Sequence, residues 1–464
     1  MQTYSKNRNT TYFSVIVNMT NNDVKPILED DLKSLESRSD ISSLVERTLS
    51  PELLGLIKNI SVKAAEHDAV LYIVGGFVRD LLLGRLSTDF DLVIDGDAIG
   101  LSEELASEYG GQVAVHRRFG TAKWSLSAKL SSATGLRELD LVTSRSESYD
   151  KPSQLPDVKP SSIKWDLQRR DFTVNTLAVN LSSDKFGELV DFWGGLDDLK
   201  LKLLQVLHSR SFIDDPTRML RAVRLEQRLG FNITDETLDL IVASLSLLDN
   251  VSGARIRHEI ERILREELPE VVLARLNDIG VIEAIHSSMV DNVGEWLESK
   301  FVLAREYPLL SDIVPVYFGL WLYKLGSDEV ASICGRLQVS AKIERSLIQI
   351  GRVKSVLSEL DVSASPSNIT SKLENLSDIA LDVLVVAVDN NDIRKNIERF
   401  RDDLRYVEPI TNGKDLLELG LFPGPGLGRI LLRLKVAWLD GHISSKEEEN
   451  ELVEVLVAEE KKGI

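Results

Sequence analysis

One short segment, residues 71–94, constrains the fold and the chemistry of this 464-residue chain most strongly. An apolar run leads into Gly75 and Gly76, a short helical pattern follows, and a second strand pattern contains Asp89 and Asp91. These aspartates stand at positions i and i+2, so a strand would project both carboxylates from one face. Adjacent carboxylates repel each other unless a divalent cation neutralises them, and Mg²⁺ prefers one or two carboxylates together with substrate phosphates. We therefore predict that Asp89 and Asp91 bind Mg²⁺.

The glycine pair in the same segment predicts a phosphate-binding turn beside the carboxylates. Glycine has no side chain, so the backbone N–H groups of Gly75 and Gly76 can approach a polyphosphate closely. The N-terminus of the helix that follows them also favours anions. Together, the turn and the paired aspartates indicate a nucleoside triphosphate that is bound over Mg²⁺.

Composition limits the class of protein to which the chain can belong. Apolar residues make up 43% and charged residues 28% of the sequence, which is typical of globular proteins. A chain of this length is expected to form about two to four packed units. No apolar run approaches the ~20 residues that a membrane helix needs, and the single cysteine, Cys334, excludes an internal disulfide. We therefore expect a cytoplasmic protein without a membrane segment.

The distribution of charge permits a local RNA-binding surface on an acidic protein. A net charge of −18 argues against nonspecific coating of nucleic acid. Basic residues nevertheless cluster in three short segments, which contain Arg117 and Arg118, then Arg169 and Arg170, and then Arg218, Arg221, Arg224 and Arg228. Most of the excess acid lies elsewhere, where it favours solubility.

Periodicity along the chain indicates an α+β fold in which a mixed α/β part precedes a helical part. Residues 1–45 are polar and weakly patterned, and we predict a disordered or loosely attached extension there. Strand and helix patterns then alternate as far as about residue 184. Three prolines in residues 146–164 predict a mobile loop within this part. From about residue 197 onward the apolar spacing is helical, beginning with a helix predicted over residues 199–205.

Two further polar motifs are candidates for the same nucleotide site. Asp140 lies in a predicted strand that could neighbour the strand of Asp91, where a third carboxylate would complete a metal site or accept the proton of an attacking hydroxyl. A solvated carboxylate at a strand end explains Asp140 equally well.

The other motif contains Arg170, Asp171 and Asn175. These side chains can face one ligand, because arginine suits phosphate oxygens and Asp or Asn suits ribose hydroxyls. The alternative for this Arg-Arg-Asp sequence is a surface cap at a helix start.

The third motif predicts a helix with a polar stripe along one side. Asp214 is the expected N-cap, and Asp215, Arg218, Arg221 and Arg224 recur every three residues. Asp215 can accept a hydrogen bond from the exocyclic amine of cytosine or adenine while Arg218 donates to the ring nitrogen. Uracil and guanine present the opposite polarity, so this pair would reject them. The alternative is an ordinary ion pair on a helix surface.

Together these motifs resemble those of the class II tRNA nucleotidyltransferases and the related bacterial poly(A) polymerases. The resemblance extends over residues 70–267, and several ordered motifs at matching separations argue against a chance match. The matching sequences are Gly-Gly-Phe-Val-Arg-Asp (75–80) with Asp-Phe-Asp (89–91), Arg-Arg-Asp-Phe-Thr-Val-Asn (169–175), Asp-Phe-Trp-Gly-Gly-Leu-Asp-Asp-Leu (191–199), Asp-Asp-Pro-Thr-Arg (214–218) and Arg-Ile-Arg-His-Glu-Ile (255–260). Residues 410–428 are similar to the tail of that family, which holds the tRNA.

The resemblance implies a fold and a reaction. The fold would be a nucleotidyltransferase head of the polymerase β type over residues 46–184, a helical neck over 185–268, and a helical body and tail over 269–464. The reaction would be template-independent addition of C, A or both from CTP and ATP to the 3′ end of tRNA. In that reaction the RNA 3′-hydroxyl attacks the α-phosphate with the help of Mg²⁺. Catalysis would come from positioning and charge neutralisation.

The resemblance also implies roles for residues that match the family motifs. Gly76 and Arg79 would hold the triphosphate, and Asp89 and Asp91 would hold the metal. Arg170 would contact the nucleotide.

In the third motif the resemblance assigns base reading to Asp215 and Arg218, and phosphate contacts to Arg221 and Arg224. The motif departs from the family at its first position, where Asp214 replaces the usual glutamate. Because the side chain of Asp214 is shorter than that of glutamate, we expect this difference to affect how accurately such an enzyme selects the base.

Several functions remain open at this point. A CC-only or an A-only enzyme is compatible with the sequence, because the loop at 146–164 is the element that decides whether the final A is added. A poly(A) polymerase is the nearest rival, although the acidic C-terminus lacks the basic tail that is usual in those enzymes. A noncatalytic RNA-binding helical protein is the alternative of a different class, but such relics tend to lose their metal carboxylates. The oligomeric state also stays open.

Overall fold

The computed structural model describes residues 29–85, 90–148 and 157–462. It divides into two compact units: the first runs through Val251 and includes Ile279–Val281, and the second comprises Ser252–Asp278 and the chain from Ile282 onward. Asp89 lies outside the described residues, so its role as a metal ligand stays a prediction. Within the described ranges, no helix combines the length and the apolar character that crossing a membrane requires.

The first unit is built on a mixed sheet. Its strands, with those of two smaller sheets, are β1 (Val70–Val74), β2 (Asp91–Asp95), β3 (Gly111–His116), β4 (Thr121–Leu126), β5 (Glu138–Thr143), β6 (Arg145–Ser148), β7 (Asp157–Pro160), β8 (Ala178–Asn180), β9 (Leu189–Val190), β10 (Leu203–Leu204) and β11 (Asn232–Ile233). The main sheet has seven strands in the order β3-β4-β5-β2-β1-β8-β9. β1 is antiparallel to β2 and β8, whereas β2 and β5 are parallel. The sheet continues to Val190, beyond residue 184, because β9 pairs with β8.

Helices precede, connect and follow these strands. They are α1 (Glu29–Ser34), α2 (Ser42–Thr48), α3 (Pro51–Glu66), α4 (Gly76–Leu82), α5 (Ala98–Tyr109), α6 (Ala128–Thr134), α7 (Ile163–Gln168), α8 (Gly195–Leu201), α9 (Ser211–Asp214), α10 (Arg218–Leu229) and α11 (Asp235–Ser244). α3 shows why these residues form a helix: Ser50 Oγ accepts a hydrogen bond from Leu53 N at 3.3 Å, and Pro51 occupies the first turn, where its missing N–H costs nothing.

The core of the first unit lies around β1. This strand reads Val-Leu-Tyr-Ile-Val, and the residues from Leu71 to Val74 are buried. Tyr72 and Val74 pack with Val93 of β2 and with Leu167 of α7. A strand that is covered on both faces carries a continuous apolar run rather than an alternating one.

The structure corrects the prediction of an irregular loop over residues 146–164. β6 and β7 pair as an antiparallel ribbon, with Arg145 opposite Pro160 and Glu147 opposite Val158, and α7 begins at Ile163. Both strands are mostly polar, so the sequence contains no apolar alternation that would predict them. Residues 149–156, between the two strands, lie outside the described residues.

Two local predictions in the third motif region are also wrong. The helix predicted over 199–205 begins at Gly195 and ends at Leu201, because Lys202 adopts a left-handed conformation with φ 56°. The predicted N-cap, Asp214, is the last residue of α9. The residue that precedes α10 is Thr217, and Asp215 Oδ1 accepts hydrogen bonds from its backbone N and its Oγ1 at 3.0 and 2.6 Å.

Part of the predicted N-terminal extension is folded. Arg38 N donates to Leu189 O at 2.6 Å, and Leu189 N donates to Ser39 O at 2.9 Å. Ile41 is only 5% exposed. Residues 38–41 therefore pack beside β9, which corrects the prediction of a disordered or loosely attached extension for these residues. The remaining domain boundaries stay predictions.

The described residues of the second unit form helices. They are α12 (Gly253–Ile263), α13 (Pro269–Asp278), α14 (Val281–Ile285), α15 (Glu295–Glu306), α16 (Ile313–Leu322), α17 (Ser327–Leu337), α18 (Ala341–Lys354), α19 (Pro366–Leu373), α20 (Asp378–Ala387), α21 (Asn391–Asp402), α22 (Gly413–Glu418), α23 (Pro425–Leu439) and α24 (Lys446–Lys462). α16 and α20 come so close that a Cβ on Gly319 would lie 2.6 Å from Val383 Cγ2. The buried Asp382 accepts hydrogen bonds from the backbone N of Leu310 and Ser311, which fixes the turn before α16.

Candidate active site

The strand register brings the predicted metal and phosphate motifs to one edge of the main sheet. Val74 at the end of β1 is paired with Asp91 at the start of β2, and Asp91 is paired with Asp140 on β5. The glycine turn follows Val74 directly. The prediction that Asp140 neighbours the strand of Asp91 is therefore confirmed.

Gly75 has a conformation and surroundings that only glycine fits. Its φ of 75° lies in the left-handed region, and a Cβ at this position would lie 2.6 Å from Arg170 Nη1. Gly75 N donates to Leu177 O at 3.0 Å, which ties the turn to the residue before β8. The turn thus places the start of α4 against Arg170.

A cavity of about 370 Å³, which we call the main cavity, opens beside this edge. Its lining combines carboxylates with a larger number of arginines. The charged lining residues are Asp91, Arg145, Glu147, Arg169, Arg170, Asp171, Asp215, Arg218 and Arg221. All of them belong to the first unit. Because arginine side chains provide fixed positive charge and forked N–H donors, such a cavity suits a polyphosphate.

The main cavity brings together six of the residues that the sequence singled out. They are Asp91, Arg170, Asp171, Asp215, Arg218 and Arg221. Among the described residues, the other candidates do not line it; these are Gly75, Gly76, Arg79, Asp140, Asn175 and Arg224.

Arg79 is placed inside the protein rather than on the cavity wall. It is 4% exposed, and its Nε and Nη2 donate to the two carboxylate oxygens of Asp80 at 2.8 and 2.9 Å. Its Nη1 donates to Asn175 Oδ1 at 2.6 Å. In this arrangement Arg79 and Asn175 support the residues that do line the cavity.

Asp171 is an ionised carboxylate at the cavity wall. Burial by itself would raise the pKa of Asp171, but the neighbouring Arg221 guanidinium and a hydrogen bond from Asn175 outweigh it and lower the pKa to about 2. Arg221 Nη1 lies 3.0 Å from Asp171 Oδ2, and Asn175 Nδ2 lies 2.8 Å from Asp171 Oδ1. A carboxylate that stays charged at neutral pH can accept hydrogen bonds from ligand hydroxyl groups.

A second, fully buried carboxylate orients the adjacent arginines. Asp166 accepts hydrogen bonds from Arg169 Nε at 3.0 Å, from Arg170 Nη2 at 3.3 Å and from Arg145 N at 3.2 Å. Burial alone would raise the pKa of Asp166, but the positive charges of Arg170 and Arg169 lower it overall. Asp166 therefore holds both arginines of the second motif toward the main cavity. This motif follows the end of α7 and precedes a 3₁₀ helix over Thr173–Asn175, whose start has no side-chain cap hydrogen bond, so the cap interpretation is wrong.

Arg218 is held at the back of the main cavity. Its Nη1 donates to Ser211 Oγ at 2.7 Å and its Nη2 donates to Arg169 O at 2.8 Å, and the residue is 6% exposed. Leu220, Val223 and Leu225 of the same helix are buried, as the sequence predicted. The helix thus packs through its apolar side while Arg218 and Arg221 reach the cavity.

The carboxylates at the sheet edge fit a divalent cation. Asp91 lines the cavity, and Asp140 lies opposite it in the register. One oxygen of Asp140, Oδ1, is buried and makes no hydrogen bond to any described residue, although the side chain as a whole is 43% exposed and Lys123 Nζ lies 3.7 Å away. This Asp140 oxygen forms an ion pair with Lys123, and carboxylate oxygens are the ligands that Mg²⁺ prefers. The described residues contain no cluster of three or more metal-binding side chains.

Sequence reasoning missed Arg145 and Glu147. Both lie on β6 and line the main cavity, and Glu147 Oε1 accepts hydrogen bonds from Arg145 Nη2 at 3.1 Å and from Arg169 Nη1 at 3.0 Å. The short sequence Arg-Ser-Glu is common in proteins and does not predict a functional site. The one available signal was its position directly after the strand of Asp140.

Two family models match the chain. The model described as "Poly A polymerase head domain" matches residues 71–205, and the model described as "Probable RNA and SrmB- binding site of polymerase A" matches residues 230–291. The first range contains Asp91, Asp140 and Asp171, whereas Asp215 and Arg218 lie between the two ranges.

The chain is also similar to proteins of known name. It is 34% identical over 429 residues to the A-adding tRNA nucleotidyltransferase of Geobacter sulfurreducens, an alignment that covers 89% of this chain and 48% of that protein. It is 32% identical over 420 residues to the A-adding tRNA nucleotidyltransferase of Halalkalibacterium halodurans, with 88% of this chain and 94% of that protein covered. The chain thus spans about half the length of the Geobacter protein.

A solved structure has the same fold. The Thermotoga maritima CCA-adding enzyme complexed with tRNA_CCA superimposes with a TM-score of 0.71 and 27% sequence identity. The match covers 92% of this chain and 100% of that chain. The expectation of a mixed α/β part followed by a helical part is therefore confirmed.

Proposed function

This chain belongs to the tRNA nucleotidyltransferase family, and on that premise we propose that it adds AMP from ATP to a tRNA whose 3′ end already carries CC. As a member of this family the chain is an enzyme, so the noncatalytic alternative is wrong. The choice of A addition is supported by the two relatives described above, which are named A-adding and align with 88% and 89% of this chain. One observation supports the reaction class: the main cavity is lined by arginines and opens where Asp91 and Asp140 are paired in the sheet.

The proposed reaction joins two nucleotides and releases pyrophosphate. The oxygen of the RNA 3′-hydroxyl forms a bond to the α-phosphorus of ATP, and the bond from that phosphorus to the bridging oxygen of the β-phosphate breaks. The 3′-hydroxyl loses its proton in this step, and we assign its acceptance to Asp140, which is paired with Asp91 in the strand register. The charge of the leaving pyrophosphate needs compensation.

The arginines of the main cavity provide that compensation. Arg170 and Arg221 are fixed by Asp166 and Asp171, so their positive charges are oriented before a ligand arrives. Preoriented charges stabilise a transition state without reorganising during the reaction. Asp91, with Asp89, would hold Mg²⁺, which when bound neutralises phosphate charge.

Base choice is assigned to Asp215 and Arg218 in this proposal. A carboxylate acceptor and a guanidinium donor match the amine and ring nitrogen of adenine or cytosine, and mismatch guanine and uracil. Both side chains line the main cavity. Asp171 is the ribose-binding group, since it is ionised and lies on the same wall.

The proposal also includes the binding of tRNA and the cellular compartment of the protein. The helical second unit binds the body of the tRNA, and the protein works in the cytoplasm, where a single buried free cysteine is in keeping with a reducing environment.

The test is an incorporation assay with three tRNA transcripts. The transcripts end at the discriminator base, at C and at CC, and each is incubated with labelled ATP or CTP in the presence of Mg²⁺. We expect a single A on the CC transcript and no C on the others. Addition of both C residues to the first transcript together with A on the CC transcript would support the alternative of a complete CCA-adding enzyme, which the fold match to the Thermotoga enzyme favours. Addition of both C residues without A would indicate a CC-only enzyme. A long A tail would indicate a poly(A) polymerase.

A further inference from the structure

A second polar cavity adjoins the main cavity. This side cavity has a volume of about 250 Å³ and shares Glu147, Arg169 and Arg218 with the main cavity. It is also lined by Trp165, a residue of α7 that is 48% exposed. A reaction that joins two nucleotides needs two adjoining sites, one for the incoming nucleotide and one for the nucleotide that is extended.

Trp165 belongs to an exposed group of aromatic rings around one lysine. Lys164 Nζ lies 5.9 Å from the ring centroids of Trp165 and Phe192 and 5.8 Å from that of Trp193. Phe192 is 44% exposed. Trp193 Nε1 donates to Lys164 O at 3.2 Å, which fastens the loop after β9 to the start of α7. We call these four residues the aromatic platform.

The chemistry of the platform matches single-stranded RNA. Every base has a π-face that can stack on an aromatic ring, and a lysine beside the rings attracts the phosphate backbone. Single exposed apolar residues on a protein surface are ordinary. Here Trp165 is both part of the platform and part of the wall of a cavity that shares two arginines with the main cavity. Trp165 thus connects the aromatic platform with the side cavity, which adjoins the main cavity.

We propose that the aromatic platform and the side cavity bind the unpaired 3′ end of the RNA substrate, with Trp165 stacking on one of its last bases. This proposal rests on the function proposed above. The terminal nucleotide occupies the side cavity, and the shared residues Arg169 and Arg218 separate it from the incoming nucleotide. The strand reaches the side cavity over the rings of Trp165 and Phe192, and Lys164 pairs with its backbone. Trp165 is a binding residue for the RNA rather than for ATP.

The proposal predicts a selective change in the Michaelis constants. Trp165→Ala should raise the KM for a tRNA transcript ending in CC by about tenfold, because a base–aromatic stack of this kind contributes on that order. The KM for ATP should stay unchanged, and Trp165→Phe should restore most of the affinity for RNA. Lys164→Ala should raise the KM for RNA as well, to a smaller extent. Phe186→Ala is the matched control, since Phe186 carries a similar contact with Lys58, 4.8 Å from its ring centroid, away from the platform.

A direct measurement of RNA binding tests this proposal independently of the proposed function. Binding of a 5′-labelled transcript ending in CC, without ATP, is followed by fluorescence anisotropy for the wild type and the variants, after circular dichroism has shown that they are folded. Weaker binding by Trp165→Ala supports the platform even if the wild type transfers no nucleotide. Equal binding by Trp165→Ala, Lys164→Ala and the wild type overturns it. A rise in the KM for ATP alone would also overturn it and would assign the side cavity to the incoming nucleotide.

Discussion

Arg79 and Asn175 are 96 positions apart in the chain, and a hydrogen bond of 2.6 Å joins Arg79 Nη1 to Asn175 Oδ1. The same guanidinium donates to both carboxylate oxygens of Asp80. Asn175 Nδ2 in turn donates to Asp171 at 2.8 Å. The hydrogen bonds therefore connect the helix behind the glycine turn with Asp171, a carboxylate of the main cavity, and so link the proposed phosphate turn with the proposed ribose-binding wall.

Asn175→Ala should weaken this structure. The substitution leaves one donor of the buried Arg79 guanidinium without its partner, which costs about 2 kcal/mol of unfolding free energy. Urea unfolding of the variant and the wild type measures the difference. Asn59→Ala, at an exposed position of α3, is the control and should not change the unfolding midpoint. Equal midpoints for all three proteins would show that water replaces the lost bond.

Asp91→Asn should abolish nucleotide transfer while leaving the fold intact. Asp91 is exposed at the start of β2, so the change removes negative charge from the proposed cation site without disturbing the core. We expect kcat to fall by about a hundredfold or more, as is typical when one preoriented electrostatic group is removed. Asp140→Asn should lower kcat as well. Glu138→Gln, two residues earlier on the same strand as Asp140, is the control; if it lowered activity as much as Asp91→Asn, the carboxylate pair would have no special role.

Arg218→Ala should relax the choice of base. The guanidinium is the donor assigned to the ring nitrogen of adenine, and without it the preference for ATP over GTP and UTP should shrink by about tenfold, the value of one or two hydrogen bonds. Competition between the four nucleoside triphosphates measures the preference. Arg228→Ala, on the exposed side of the same helix, should leave it unchanged. An Arg218→Ala variant that is folded and keeps its full preference would assign base choice to other residues.

Asp171 makes the stability of the first unit depend on pH in the acidic range. Its pKa in the folded protein is lowered to about 2, below the ordinary pKa of an aspartate side chain. The carboxylate therefore stabilises the fold fully above about pH 4, and this stabilisation, about 2 kcal/mol, is lost as the pH falls toward 2. Thermal unfolding of the wild type and Asp171→Asn at several pH values tests the sign. The difference between them should be largest near neutral pH and should shrink below pH 4; a constant difference would mean that the charge of Asp171 does not contribute.

The candidate site shows how far local sequence patterns reach. The apolar run and the glycine pair correctly predicted β1 and the turn, because each depends on residues that are close in the chain. The strand predicted over residues 89–94 begins at Asp91, and the placement of Asp89 beside it on one strand face stays a prediction. The polar ribbon of β6 and β7 was missed, since its strands carry no apolar alternation and are held by backbone pairing. The N-cap expected at Asp214 failed for a similar reason: the turn chemistry of Asp215 and Thr217 competes with a helix start.

The sequence by itself determined the strands from β1 to β5, the predominance of helices after about residue 197 and the family that the motifs resemble. The first two features follow from periodicity and turn chemistry and the third from short motifs, all of which neighbouring residues encode. Only the tertiary structure decided that Asp140 stands opposite Asp91, that Arg79 is buried against Asp80 and Asn175 instead of facing the cavity, and that Glu147 pairs with Arg169. Which partner a charged side chain finds depends on the segments that core packing brings together across the chain, and no local pattern records that choice.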